Sequence, residues 1–394
     1  MPRHAHLEVD LDAVAANAAE LTRVGGGAAL CAVVKADGYG HGSVDVARAA
    51  LRGGATWLAV ALVEVGRALR AAGIDVPVLV LSEPPPDVMA EALDAGLTPT
   101  LYTPAGVDAA AAAVRSRPAA APWAVHLKVD TGMHRVGAHP ADAIEVARRI
   151  VAAPGLVLGG TFTHLAVADE PARSETAVQL AVFDDVLAQL SSLGIDPGLR
   201  HAANSAGTLA HPGARYDMVR VGVALYGVAP APGLADEVPL RPAMSLHAEV
   251  TMVKELEAGD GVSYGLRHTF DRRATVAVVP LGYADGVPRR LGLRGAEVLI
   301  GGVRRPMRGV VTMDQTIVEV TDGPPVAPGD PVVLLGEQGQ ESITAQEWAE
   351  RLDTIAYEVV CGFSVRLPRV VRGGQVSTTD APGGSATSAA VPVR

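Results

Sequence analysis

The sequence predicts an α/β protein: an eight-stranded parallel (β/α)8 barrel followed by a mostly β domain. Three observations carry that expectation. Short apolar runs rich in β-branched residues alternate with alanine-rich helical runs through residues 1–233. From Leu234 onward the helical runs nearly vanish, and Val/Thr-rich segments separated by Gly and Pro turns replace them. At 394 residues, 49% hydrophobic and 19% charged, the chain has enough apolar side chains for two cores and too little charge for an extended disordered protein.

Taken in order, the first strand candidates are Ala28–Val34, Trp57–Val60, Val78–Leu81, Thr98–Leu101, Ala124–Val129, Leu156–Thr161, Leu199–Ala202 and Met218–Gly222. Strands this short and apolar are buried on both faces, and helices between them imply parallel pairing through crossovers. The clearest helix places Leu180, Phe183, Leu187 and Leu190 on one face, at spacings of three and four. Such a series fits a closed barrel; an open doubly wound sheet is the alternative that the same alternation allows. In the second part the expected strands are Ala248–Val253, Thr275–Pro280, Glu297–Ile300, Gln315–Val320 and Val332–Leu335, with one helix near Thr344–Leu352. The expected division is residues 1–233 for the barrel, 234–371 for the β domain and 372–394 for a tail. That tail is too poor in large apolar residues to bury a core and is expected to be disordered.

Lys and Arg number 33 against 43 Asp and Glu, a net charge of −10. A protein that grips a phosphate backbone needs a basic surplus, so no nucleic-acid role is expected. Arg289, Arg290, Arg294, Arg304, Arg305 and Arg308 read instead as a solvated or interface patch. Met1–Val9 has no apolar core for a signal peptide, and the uncharged run Ile150–Ala168 is broken by Pro154 and His164, which makes it a poor membrane span. These features predict a soluble cytoplasmic protein with no membrane association. Its two cysteines, Cys31 and Cys361, lie among apolar residues and are expected to be reduced and buried. No metal site is expected.

In a parallel barrel the working residues project from the C-terminal ends of the strands. The first strand runs into Lys35, followed by Ala36-Asp37-Gly38-Tyr39-Gly40-His41-Gly42. A lysine at the edge of a low-dielectric interior has a lowered pKa and can act as a nucleophile that forms a Schiff base. Alone, such a lysine can equally snorkel to water. The three glycines shift the balance, because they let a ligand approach the backbone closely. The segment matches neither a P-loop nor a dinucleotide fingerprint. The fifth strand leads into Lys128, Asp130 and Arg135, a polar network or a solvated loop, and the sixth leads to His164. The seventh opens onto Asn204 and Ser205, small polar residues at a helix start that present N–H groups to an anion. The eighth carries Arg220, Gly222 and Val223. In the second part Tyr264, Tyr283 and Tyr357 sit in short turn-like motifs, as does the pair Met313-Asp314. With only 7 tyrosines in the chain, three in turns point to phenols that transfer protons, or to caps on a small core.

Together these motifs resemble the alanine racemase family. The segment from Ala32 through Lys35 to Gly42 is similar to that family's pyridoxal-phosphate lysine signature, and the likeness runs from about Leu7 to Val371. The resemblance implies a barrel-plus-β-domain enzyme that uses pyridoxal 5'-phosphate (PLP) to interconvert L- and D-alanine. It makes Lys35 the Schiff-base lysine and one catalytic base, and Tyr264 the other base on the opposite face of the α-carbon. Arg220 would partner the pyridine nitrogen and His164 would pack on the ring. Tyr39, Ser205, Gly222, Val223 and Tyr357 would bind the phosphate, with Asn204 beside them. Arg135 would contact the cofactor's phenolic oxygen and the substrate carboxylate, while Tyr283, Met313 and Asp314 would line the substrate end. Lys128 matches a position that is carbamylated in many members. The resemblance further implies a head-to-tail homodimer with shared active sites, in which Tyr264, Tyr283, Met313 and Asp314 act in trans. Ala356, Thr312 and Val310 depart from residues common at their positions, which leaves the width of substrate acceptance open.

Other readings share parts of this pattern. A racemase for serine or another small amino acid carries the same motifs. A PLP-barrel amino-acid decarboxylase has a similar division but is expected to carry a catalytic Cys–His pairing instead of the segments around Tyr264 and Met313-Asp314. A non-catalytic PLP carrier on a similar barrel lacks a β domain.

Overall fold

Continuously apolar strands pack with both faces covered, and the computed structural model, which describes residues 4–117 and 122–374, shows how. Up to residue 221 the strands are β1 (Ala5–Asp10), β2 (Ala29–Val33), β3 (Trp57–Val60), β4 (Val78–Val80), β5 (Thr98–Leu101), β6 (Trp123–Lys128), β7 (Leu156–Phe162), β8 (Leu199–His201) and β9 (Met218–Val221). β2 to β9 form one parallel sheet in the order β8-β7-β6-β5-β4-β3-β2-β9. Its end strands meet across a seam, where Asp217 N–H donates to Arg200 O (3.0 Å) and Arg220 N–H to Ala203 O (3.0 Å). The expected barrel is therefore what forms, nearly closed, with helices between its strands.

The helices follow local rules. Helix Leu11–Gly25 starts on Asp10, whose carboxylate accepts the N–H groups of Asp12 and Ala13, and stops at Gly26 in the left-handed region (φ 65°). Helix Glu175–Ser192 buries Phe183, Leu187 and Leu190 as its spacing predicts. Leu180 lies only at the margin, and Gln179 takes a fully inward position instead. Among the described residues no helix is long and apolar enough to cross a membrane.

Beyond the barrel, a seven-stranded sheet contains Val303–Pro306, Glu297–Ile300, Pro331–Gln338, Met244–Glu249, β1 and Arg369–Arg372 in that order, with Glu341–Ile343 added to Pro331–Gln338. A three-stranded sheet of Met252–Leu256, Ala274–Val279 and Thr316–Glu319 stands beside it in the chain order. The expected strand Ala248–Val253 is corrected to two strands belonging to different sheets. The break falls at Val250 and Thr251, whose N–H groups go to Asp330 O (3.0 Å), just before Pro331–Gln338 of the large sheet, and to Val278 O (2.9 Å) in the three-stranded one. The expected helix appears as Ala345–Leu352, capped by Thr344 Oγ1, which accepts the Glu347 N–H (3.1 Å). Cys31 is buried as expected, but Cys361 is exposed, because the short helix Ala356–Cys361 turns Ala356, Val359 and Val360 inward and leaves its last residue uncovered. Of the expected tail, residues 375–394 lie outside the described residues.

The barrel exit is tied to helix Leu11–Gly25 by one buried amide. Asn17 donates to Leu225 O (3.1 Å) and Arg241 O (2.8 Å) and accepts the Arg241 N–H (2.8 Å). Asn17→Ala leaves these backbone groups without partners and is expected to lower the unfolding free energy by about 3 kcal/mol, measured by urea denaturation. A loss below about 0.5 kcal/mol would show that water replaces the amide at no cost.

Candidate active site

Where β2 runs out, Lys35 opens a turn in which Ala36, Asp37, Gly38, Tyr39 and Gly40 all have positive φ (52, 52, 60, 51 and 82°). Each residue with a Cβ held this way costs on the order of 1–2 kcal/mol, so the surroundings must fix the turn. Gly38 N–H donates to Val34 O (3.1 Å), Gly40 N–H to Ala36 O (3.0 Å) and Gly42 N–H to Asp37 O (2.8 Å). Buried His41 donates from Nδ1 to Tyr39 O (2.9 Å). Gly40 is required twice over, by its φ and because a Cβ there would sit 2.7 Å from Val360 O. Lys35 Nζ lies 6.0 Å from the Tyr39 ring, and burial, aided by the charge of Arg135, lowers the amine's pKa.

Tyr39 is buried between Tyr226 (ring centroids 4.9 Å apart) and Tyr357 (6.4 Å). Its hydroxyl occupies the space that a Cβ on Gly222 would need. Ser205 Oγ accepts the N–H groups of Gly222 (2.9 Å) and Ala224 (3.3 Å), flanking Val223, and so keeps its own O–H to donate. Asn204 caps the short helix that Ser205 begins, accepting the Gly207 N–H (2.9 Å). Burial pushes the Tyr357 phenol up to about 12. Tyr39, Asn204, Ser205, Gly222, Val223 and Tyr357 thus converge through these contacts.

Arg220, on β9, is 3% exposed and has no carboxylate partner among the described residues. Its Nη2 donates to Thr163 O (2.8 Å), Ala202 O (3.0 Å) and His164 Nδ1 (3.2 Å), and its Nη1 to His201 Nδ1 (2.9 Å). The Phe162 ring lies 5.1 Å from its guanidinium carbon and 5.4 Å from Lys128 Nζ, a π face shared by two cations. Burial and the charge of Arg220 hold the His164 imidazole far below its ordinary pKa, so it is neutral. Lys128 closes β6, with Leu81 O 3.4 Å away. Burial first, then the charges of Arg220, Arg135 and Lys35, draw its pKa down to about 7, while Asp130 opposes them. The cluster is strongly cationic and suits a ligand bearing anionic groups.

Sequence reasoning missed Gln179, which binds the loops together. Its Nε2 donates to Thr131 Oγ1 (3.1 Å) and His164 O (3.0 Å), and its Oε1 accepts the Ala166 N–H (2.8 Å). A polar residue four positions before Phe183, on the apolar face, was the signal available. His126 was missed as well, since it reads as strand interior.

The β-domain candidates stand apart. Ser263, Gly265 and Leu266 have φ of 62, 76 and 45°, and between them Tyr264 is 70% exposed. Tyr283 and Met313 are exposed on neighbouring turns, joined by Tyr283 N–H to Thr312 O (2.9 Å) and Ala284 N–H to Met313 O (3.1 Å). Asp314 accepts from Arg366 Nη2 (2.6 Å). Among the described residues no hydrogen bond or ion pair joins these four side chains to Lys35, Arg220 or Ser205.

The lowered pKa of Lys128 has a stability consequence. Above about pH 7 the folded state has released a proton that the unfolded lysine keeps up to its ordinary value of 10.5, so the lysine's penalty is relieved as pH rises through that window. Lys128→Met removes the penalty. In urea denaturation under carbon-dioxide-free buffer the variant is expected to be the more stable at pH 6 and to lose that advantage by about 1 kcal/mol per pH unit above pH 7. A difference that does not vary with pH would contradict a desolvated ammonium.

Residues 9–230 match the family described as alanine racemase, N-terminal domain, and residues 243–371 match alanine racemase, C-terminal domain. The chain is 50% identical over 367 residues to an alanine racemase of Symbiobacterium thermophilum, covering 93% of this chain and 96% of the relative. To that of Thermobifida fusca it is 46% identical over 377 residues, covering 95% and 99%. Among solved structures, the alanine racemase of D-cycloserine-producing Streptomyces lavendulae superposes with a TM-score of 0.89 at 39% identity, covering 95% of this chain and 98% of that one. The Bacillus anthracis alanine racemase with bound L-Ala-P gives 0.86 at 38% identity, covering 96% and 97%. With both family domains matched in order across nearly the whole described chain, this protein belongs to the alanine racemase family of isomerases.

Proposed function

We propose that this chain interconverts L- and D-alanine with PLP, using Lys35 and Tyr264 as bases on opposite faces of the α-carbon. The observation that carries the reading is the barrel end itself: a desolvated lysine beside a buried arginine and a cradle of small and hydroxyl-bearing residues. These residues fit PLP. The cationic cluster accommodates a carboxylate, Ser205 has an O–H to donate to a phosphate, and Gly222 leaves room for Tyr39 where any Cβ would intrude.

When bound, PLP withdraws electrons from the substrate's α-carbon and so acidifies its α-proton. Lys35 would hold the cofactor through Nζ, with His164 against its ring and Tyr39, Asn204, Ser205, Gly222, Val223 and Tyr357 about its phosphate. Arg220 keeps its proton at neutral pH even with its pKa drawn down to about 10 by burial, so it offers the ring nitrogen a hydrogen bond and no proton. Arg135 would bind the substrate carboxylate. Lys35 Nζ takes or returns the α-proton on one face, and Tyr264 Oη does so on the other. One fixed base would return the proton to the face it left; two bases allow inversion.

Tyr264 at 70% and Leu266 at 63% exposure, with Tyr283 and Met313 also exposed, form a surface that calls for a cover. A second copy supplies it: in a head-to-tail homodimer Tyr264, Tyr283, Met313 and Asp314 complete the partner's site. Lys128, with a pKa of about 7, is substantially unprotonated at neutral pH and can add to carbon dioxide. The N–C bond forms as one N–H bond breaks and its proton goes to solvent, which turns the neutral amine into an anion that orients Arg135.

Incubation with L-alanine and PLP, followed by chiral chromatography and carbon dioxide measurement, is expected to yield D-alanine without gas. Gas evolution, or neither product, would overturn the reading. Lys35→Ala is expected to lose the cofactor's visible absorbance and at least about a thousandfold of activity. In Tyr264→Phe, exchange of the α-proton with D2O is expected to fall by roughly 10²–10⁴-fold from one enantiomer and far less from the other. Equal losses from both would remove Tyr264 as a base.

A further inference from the structure

Behind Arg220 lie two imidazoles, His201 and His126, for which proton transfer at the substrate has no use. Arginine has only donors, so His201 Nδ1, 2.9 Å from Arg220 Nη1, must accept, and His201 keeps its proton on Nε2. That Nε2 lies 3.0 Å from His126 Nδ1, which must accept in turn, leaving the His126 proton on its own Nε2. His126 Nε2 is buried and without a hydrogen-bond partner among the described residues, so the chain ends there.

Packing fixes both rings. Phe162 stacks on His201 with centroids 4.6 Å apart and planes 7° from parallel, and Trp57 lies 5.5 Å from His126. Gly160 leaves the space His126 occupies, since a Cβ there would sit 2.7 Å from its Cε1. An extra proton on either ring would set donor against donor beside a buried cation. Burial and that cation accordingly push both imidazoles down, His126 to about 3.

We propose that His201 and His126 are positioning residues for Arg220: a hydrogen-bond chain with a single allowed direction that holds the guanidinium in one plane at the cofactor end of the barrel. The functional part of this inference rests on the reading of Arg220 as the partner of the PLP ring nitrogen; the direction of the chain does not. Removing His201 frees Nη1 while Nη2 keeps its carbonyl partners, so the guanidinium can rotate.

The test has two arms. Solid-state 15N spectra of holoenzyme labelled at histidine, assigned by comparison with His126→Phe and His201→Leu, are expected to show both rings neutral and protonated at Nε2 from pH 6 to pH 9. A proton on Nδ1 of either ring, or an imidazolium signal, overturns the proposal. In the second arm His201→Gln, which can still accept from Arg220 and donate to His126, is expected to keep the cofactor absorbance and most of kcat. His201→Leu is expected to shift the absorbance band and lower kcat about 10- to 100-fold with KM little changed. Equal effects of the two substitutions overturn the positioning role. Should His201→Leu fail to fold, the tautomers of the unsubstituted protein decide. Because the 15N readout needs no turnover, failure of the chain is distinguishable from failure of the proposed activity.

Discussion

Arg220 carries its charge into the barrel end with no carboxylate beside it among the described residues, and its surroundings are arranged to bear that cost. An unpaired buried cation is unfavourable by several kcal/mol. Two backbone carbonyls, two imidazole nitrogens and the face of Phe162 offset part of that, and all of them are neutral. Neighbouring groups respond to burial first and to this charge second. His164 and His201 stay uncharged and Lys128 loses most of its hold on its proton, while Cys31, paired across the sheet with Arg220, has its thiol pushed up to about 12 by burial against the opposing pull of the arginine and stays inert. Burial and one arginine together set the ionisation state of the site.

A second constraint is steric. The left-handed turn after Lys35 packs on the short helix Ala356–Cys361 through Gly40, and the turn carrying Tyr283 packs on the exit of the same helix through Gly286. A Cβ on Gly40 would run into Val360 O, and one on Gly286 into Gly362 O. Tyr357 and Arg366 belong to this same stretch, one touching Tyr39 and the other holding Asp314. A short run of chain therefore fixes both the turn after Lys35 and the turns carrying Tyr283 and Asp314.

The barrel strands were legible because apolar runs buried on both faces look the same wherever they occur. β1 was not, because only Ala5, Leu7 and Val9 face inward while His6, Glu8 and Asp10 dilute the signal. The strand at Ala248–Val253 was misjudged for a related reason: composition is continuous across a point where hydrogen-bond partners change sheets. Lys35, Arg220 and Ser205 were legible as strand-end residues, and the family resemblance supplied their roles. The depressed pKa of Lys128 could not be read locally, since it needs burial in the folded barrel and the charges of Arg220 and Lys35 from two other segments besides that of nearby Arg135. Gln179 and His126 escaped notice because a polar residue within an apolar pattern reads as an interruption, when here it is the joint between two loops or two strands. Cys361 was misread because apolar neighbours in sequence do not determine the side on which a helix ends.

The pairing of β1 with Arg369–Arg372 has a consequence for how the chain comes to be folded. Leu7 sits in register with Arg369, so β1 is completed by a strand that follows the whole barrel and the rest of the sheet. The barrel strands can pair as each emerges from the ribosome, whereas the large sheet stays open until Arg369–Arg372 has been made. Through that interval β1 can also pair with Met244–Glu249, its antiparallel neighbour, but keeps one unprotected edge. Contacts so distant in sequence form slowly. Closure of this sheet thus waits on Arg369–Arg372, and truncation of that strand is a lesion felt at β1.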